Sequence, residues 1–336
     1  MKKYFPALDI LRFFAVAWVM SFHYFLGFSS VLAFYRYGNL GVQIFFIISG
    51  FVIAFSIQEK TIKQFTASRF VRLFPLFWFT CILTFLVTVF IHDHVSIKNF
   101  FLSMTMLGQA LGVSAFVDAV YWSLTVELFF YGFIALFTHF FSFSKVRIFY
   151  WSWFTVVLLF YLFHWDENVL GKLLIVRHAS YFIFGGVLAL IVEQIDNKVR
   201  PWIWDIVFAG AVAIFATAIN GRSLPPYFVP NQWDPFWVTF INAAMFAVIP
   251  LLVLAIRKLP HKINTLVIIL GGITYPFYLI HQRLGMILTA GLKSYVNSTV
   301  AYVLTIVMVL AFSYLLYKKD KELRKHIKSK IKILGE

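Results

Sequence analysis

The chain has 336 residues, of which 61% are hydrophobic and only 13% charged, and it carries a formal net charge of +15. Soluble domains average about half apolar and a quarter charged residues, so this composition excludes a soluble globular protein and predicts an all-α, polytopic integral membrane protein. The single cysteine, Cys81, excludes an intramolecular disulfide.

Apolar runs of about 20 residues, long enough to cross a bilayer, predict ten spans: 6–28, 39–58, 73–92, 120–141, 147–163, 174–192, 203–220, 236–256, 265–288 and 298–317. Ten spans put both termini on one side. The segments on that side carry 21 of the 29 basic residues, among them Lys60, Arg69, Arg72, Arg147, Arg257 and eight Lys/Arg after Tyr317. The positive-inside rule then places both termini in the cytoplasm. Residues 1–317 are expected to form one membrane domain and 318–336 a basic cytoplasmic tail. That tail has enough charge to attract nucleic acid, but beside a span it favours anionic lipid, and no nucleic-acid partner is expected.

The first span begins with Met-Lys-Lys like a signal peptide. Its length, its Asp9 and Arg12 and its lack of a clear cleavage site predict that it is retained. Within it, Arg12 and His23 are the only ionisable groups of the stretch 12–23. Ionisable groups at membrane depth are costly and mark functional sites. Eleven residues apart, they share one helix face and are separated by ~16 Å along the axis. Asp9 can pair with Arg12 one turn away.

The second span holds Gly41-Val-Gln-Ile-Phe-Phe-Ile-Ile-Ser49-Gly50-Phe51. Its Ser-Gly step in mid-span suits either close helix packing or close approach of a slim ligand. Before the third span comes Arg69-Phe-Val-Arg72-Leu-Phe-Pro75. Its two guanidinium groups share a helix face and suit phosphate oxygens, against the plainer reading as topology charge. Pro75 is expected to open the third span. The fourth span starts with Trp122-Ser123-Leu124 and places Glu127 ~9 Å below the outer surface. The external loop 221–235, rich in proline and aromatics, reads as an interfacial belt or as a cover over an external site that stacks on a sugar face. The ninth span contains Tyr278-Leu279-Ile280-His281 and puts His281 ~24 Å in from the cytoplasmic side, close to the ~26 Å of His23.

Two imidazoles and one carboxylate at similar depth are the equipment of general-base catalysis. Polar anchors between helices are the plainer reading of each residue taken singly. No His-x-x-x-His pair is present, and no metal site is expected.

As a set and in this order, Leu8-Asp9-x-x-Arg12 with His23, Gly41 to Phe51, Arg69-x-x-Arg72-x-x-Pro75, Trp122-Ser123-Leu124-x-x-Glu127 and Tyr278 to His281 resemble the acyltransferase-3 family of membrane O-acyltransferases, which modify carbohydrates of bacterial envelopes. The resemblance covers nearly the whole chain. Pro276-Phe277 and Gln282-Arg283 depart from the family pattern around His281, and the soluble hydrolase-like domain that some members carry after the membrane part is not expected here. The resemblance implies a bacterial inner-membrane enzyme. Its donor would be an acyl-CoA such as acetyl-CoA, a co-substrate rather than a permanently bound cofactor, and its acceptor a carbohydrate hydroxyl outside or in the membrane.

On that resemblance Arg12 and His23 are catalytic, with His23 as general base or as carrier of an acyl-imidazole. It likewise makes Arg69 and Arg72 the donor-binding pair. From their places in the spans, Ser49 is expected beside the donor arm, Glu127 is expected as a catalytic residue that orients an imidazole or binds acceptor hydroxyls, and Trp122, Ser123 and His281 are expected to line the acceptor site. The alternative is a transporter of an anion or glycan, because buried His, Glu and Arg also mark ion pathways.

Overall fold

Lipid supplies no hydrogen-bonding partners, so an apolar chain must satisfy its backbone internally, and this one does so with helices. The computed structural model describes residues 4–25, 33–58, 60–91, 96–108, 117–220 and 234–333. In chain order the helices are α1 (Pro6–Phe25), α2 (Gly41–Gln58), α3 (Ile62–Phe90), α4 (Ile97–Met104), α5 (Trp122–Phe140), α6 (Val146–Leu162), α7 (Val169–Leu173), α8 (Val176–Asp196), α9 (Ile203–Asn220), α10 (Asp234–Ala255), α11 (His261–Ile280), α12 (Arg283–Leu292) and α13 (Ser298–Ile333). Among the described residues nine helices are long and apolar enough to cross a membrane, and Ile203–Ile219 is a shorter apolar helix at the expected seventh span. The chain is therefore an all-α membrane protein. Of the loop singled out at 221–235, residues 221–233 lie outside the described residues.

Three expected boundaries differ. Pro75 lies inside α3 rather than at its start. That helix begins earlier, at Thr61, whose side chain accepts the Gln64 N–H while Gln64 reaches back to the Thr61 N–H, a capping box strong enough to set the start. Membrane helices tolerate an internal proline; the carbonyl that Pro75 leaves without its helical donor is that of Val71, and two residues on the Leu73 carbonyl accepts the Tyr275 hydroxyl of α11 at 2.9 Å. The expected span 265–288 is broken at His281–Gln282 into α11 and α12. A carboxylate distant in sequence makes the break: Asp118 Oδ2 accepts the N–H of Arg283, first residue of α12, at 2.9 Å. The basic tail, finally, extends the last span as a continuous helix to Ile333.

The centre of the bundle is α8, which is buried along most of its length and makes its most extensive contact with α2. Gly50 and Gly185 permit that contact: a Cβ on Gly50 would run into the Phe182 carbonyl, and one on Gly185 into the Ile47 carbonyl. Small residues are what let membrane helices approach this closely. Against α2 lies α1, which also packs on α11. The core formed by α1, α2, α5 and α11, with α3 alongside, is where the polar side chains converge.

Candidate active site

A cavity of about 400 Å³ opens at the N-terminal end of α1 and is lined by Tyr4, Asp9, Arg12, Ser56, Lys60, Arg69, Arg72 and Glu193. A narrower cavity of about 90 Å³ continues inward, lined by Arg12, Ser49, Arg72, Ser123, Glu127, Tyr275 and Tyr278 among others. Arg12 and Arg72 line both, so two guanidinium groups from α1 and α3 stand where the cavities meet.

The entrance is strongly cationic and partly neutralised. Arg12 Nη1 pairs with Asp9 Oδ1 at 2.8 Å, as the one-turn spacing predicts. Tyr4 donates its hydroxyl to Asp9 Oδ2 at 3.1 Å; burial, with Asp9 adding to it, raises the Tyr4 phenol and keeps that proton in place. Arg69 Nη2 donates to Ser56 at 3.0 Å, and its guanidinium lies 5.5 Å from the Phe65 ring and 5.8 Å from that of Tyr131. Its Nε and Nη1 are buried with no acceptor among the described residues. Unsatisfied buried donors of a guanidinium are expensive, and a phosphate oxygen would satisfy them.

Farther in, the Ser49 hydroxyl donates to Glu127 Oε1 at 2.6 Å, and Tyr131 donates to the same oxygen. Sequence reading assigned Ser49 and Glu127 to the site but missed Tyr131, although it stands one turn after Glu127, on the same helix face. Ser123 and Tyr278 share a hydrogen bond of 2.7 Å above this pair.

Beyond Tyr278 the two histidines meet. The rings of His23 and His281 lie 5.4 Å apart between centroids, inclined at 47°. His281 is fully buried, with Nδ1 2.8 Å from the Tyr278 carbonyl oxygen, and the His281 carbonyl accepts from the Tyr24 hydroxyl at 2.6 Å. No hydrogen bond joins Glu127 to either imidazole among the described residues; its partners are Ser49 and Tyr131. The expectation that Glu127 stands beside the histidines gives way to an order of side-chain contacts: arginines, Ser49 with Glu127 and Ser123 with Tyr278 line the cavities, and the histidines lie behind Tyr278. Trp122 stands aside from both cavities, its ring 5.3 Å from that of His178 and 6.2 Å from that of Phe46.

Asp118, also missed by sequence reading, accepts the N–H groups of Val120 and Arg283. Burial pushes its carboxyl up to about 6, while those N–H groups and the charge of Arg283 pull the other way. Nothing in the local sequence signals this residue, because its partner on α12 is brought to it only by the fold. Among the described residues no group of three or more His, Cys, Asp or Glu side chains could hold a metal ion.

A family model described as an acyltransferase domain matches residues 5–318. ORF330 of Acidianus two-tailed virus, named as an acetyltransferase, is 33% identical over 137 residues, or 40% of this chain and 41% of the viral protein. The peptidoglycan O-acetyltransferase OatA of Listeria monocytogenes is 34% identical over 105 residues, or 29% of this chain and 16% of OatA. The chain thus matches less than half the length of either relative. No solved structure matches it.

Proposed function

The chain belongs to the acyltransferase-3 family of acyltransferase domains, and we propose that it moves an acyl group, acetyl by similarity to its relatives, from cytoplasmic acyl-CoA to a hydroxyl of an envelope or exported glycan. The observation that carries this reading is the pair of joined cavities that run from an arginine-lined mouth, through the neck at Arg12 and Arg72, to Tyr278, whose ring lies 5.5 Å from that of His281, with His23 beyond it. A phosphate-rich donor suits the mouth, where Arg69 has unsatisfied donors. A long, thin thioester arm suits the narrow inner cavity, which passes Ser49.

In this reading the chain lies in the bacterial inner membrane with both termini in the cytoplasm, the side that the excess of Lys and Arg favours. Arg69 and Arg72 hold the donor phosphates. Arg12 guards the neck with its charge balanced by Asp9. Glu127, held by Ser49 and Tyr131, offsets the arginines from the inner side. Ser123 and Trp122 belong to the acceptor side. His23 is the general base: the acceptor oxygen attacks the thioester carbonyl carbon, its proton passes to His23, the carbon–sulfur bond breaks, and the proton ends on the CoA sulfur. The ~16 Å between Arg12 and His23 along α1 is the distance the donor arm must bridge.

The test is thiol release by purified protein in lipid nanodiscs, given acetyl-CoA and candidate envelope glycans. Acceptor-stimulated CoA release that is lost in His23→Ala, with the variant still folded in the membrane, supports the proposal. Full activity in that variant removes His23 from the mechanism. Absence of acetyl-CoA binding, with Arg69 and Arg72 dispensable, overturns acyl transfer in favour of a transport function.

A further inference from the structure

The Nε2 atom of His281 is buried and has no hydrogen-bond partner among the described residues. Its other ring nitrogen, Nδ1, lies 2.8 Å from the Tyr278 carbonyl oxygen. A carbonyl oxygen can only accept, so Nδ1 carries the proton and Nε2 a lone pair; the tautomer follows from the hydrogen bond. A buried acceptor left unpaired costs about 1–3 kcal/mol, and such groups in folded proteins call for an explanation.

The surroundings hold this ring in place. His281 is the residue at which α11 ends; its N–H still donates to the Phe277 carbonyl at 3.0 Å, and its carbonyl accepts from Tyr24 at 2.6 Å. Asp118 fixes the start of α12 two residues later. An imidazole clamped on its backbone from α1, and on its ring from within α11, presents one lone pair in one direction. The second imidazole of the site, His23, has its centroid 5.4 Å away. That separation has room for an N–H···N hydrogen bond of ~3 Å with one ring radius on either side; the rings as they stand, inclined at 47°, do not yet make it, and a turn of the His23 ring is what would close it.

We infer that His281 is a positioning residue for His23, its Nε2 accepting an N–H from the His23 imidazole so that the other His23 nitrogen faces the acyl acceptor as a lone pair. The inference rests on the acyl-transfer reading above and supplies what it lacks, a group that selects the tautomer of the base. The logic is that of any base oriented by a third group, with an imidazole backed by a carbonyl in the place often taken by a carboxylate. When His23 takes the hydroxyl proton it becomes an imidazolium, and its bond to His281 becomes charge-assisted and stronger. His281 itself gains and loses no proton, and the proton on His23 leaves with the thiol.

The experiment uses the full chain in nanodiscs. His281→Phe keeps the ring volume and removes the acceptor; His281→Gln places an amide oxygen near the position of Nε2. His281→Phe is expected to lower kcat by about tenfold or more, within the range general-base catalysis supplies, with the KM for acetyl-CoA within about twofold, because the donor site is untouched. His281→Gln should recover a substantial part of kcat. In parallel, nitrogen NMR of histidine-labelled protein should show His281 Nε2 unprotonated and hydrogen-bonded, with a signal that moves in His23→Phe. Wild-type kcat in His281→Phe overturns the inference, as does a protonated Nε2 or one that His23→Phe leaves unmoved. If the NMR coupling is present but no acceptor is ever acylated, the histidine pair stands and the acyl-transfer reading falls.

Discussion

Ser49 on α2 and Glu127 on α5, 78 positions apart, are joined by a 2.6 Å hydrogen bond in the inner cavity, and Tyr131 donates to the same carboxylate oxygen. One acidic side chain thus collects two hydroxyl protons from two helices. Removing the acceptor strands both donors, whereas removing Ser49 leaves Tyr131 satisfied. Glu127→Ala is therefore expected to destabilise by about 2–4 kcal/mol, and Ser49→Ala by about 1 kcal/mol, at the usual cost of each lost or orphaned bond. Thermal unfolding of the two variants in the same detergent checks the order; an equal loss in both would refute the shared-acceptor picture.

Arg72 and Arg69 differ in where they stand. Arg72 lines both cavities, whereas Arg69 lines only the outer one. Substitution of either by alanine should raise the KM for acyl-CoA by about tenfold, the worth of one or two charge-assisted hydrogen bonds. Only Arg72→Ala should also lower kcat, because it alone touches the inner path. Initial-rate kinetics over a range of acetyl-CoA concentrations separates the two effects.

The positions of the helices were largely legible, because lipid forces every apolar run of sufficient length into one. What local pattern could not show is where distant groups intervene. The interruption at His281–Gln282 depends on Asp118, 165 residues away from Arg283 in sequence, and the sequence around Pro276 alone gives no reason to stop there. The start of α3 at Thr61 was legible in principle from Thr61 and Gln64, a capping box, but Pro75 offered a competing signal nearer the apolar run. In the site, helix-rise arithmetic put His23 and His281 at one depth, and the structure sets their rings together. The same arithmetic put Glu127 beside them. Its bonds to Ser49 and Tyr131 place it instead with the arginine neck, an outcome that depends on how α5 and α2 slide past each other.

The contact between α2 and α8 allows no added atom at two points. Gly50 faces the Phe182 carbonyl and Gly185 the Ile47 carbonyl, so in both cases a new methyl group meets backbone, which cannot rotate away. Gly50→Ala and Gly185→Ala are each expected to destabilise by about 1–3 kcal/mol, as overpacking does. Because Gly50 follows Ser49, its variant should also lower activity. Gly132, by contrast, has open space around its Cβ position, and Gly132→Ala should be neutral or slightly stabilising, since alanine favours the helix by about 1 kcal/mol. Melting temperatures of the three variants, measured together, test the packing directly.

Asp118 makes stability depend on pH in a direction opposite to that of most carboxylates. Burial raises its pKa from 3.8 to about 6, so the folded protein holds this proton more tightly than the unfolded chain does. The contribution is fully present below pH ~4 and is lost as pH rises through about 6, with an upper size of about 3 kcal/mol at ~1.4 kcal/mol per pH unit. Asp118→Asn removes the titration and keeps an oxygen for one of the two N–H groups, which Asp118 accepts on separate oxygens; the lost bond is a cost that does not change with pH. The difference in melting temperature between Asn variant and wild type should therefore grow in favour of the variant as pH is raised from 4.5 to 7.5, while the wild type alone carries the sum of all its carboxylates. A difference that stays flat over that range would mean that the Asp118 carboxyl titrates at its ordinary value, and that the N–H groups of Val120 and Arg283 offset its burial.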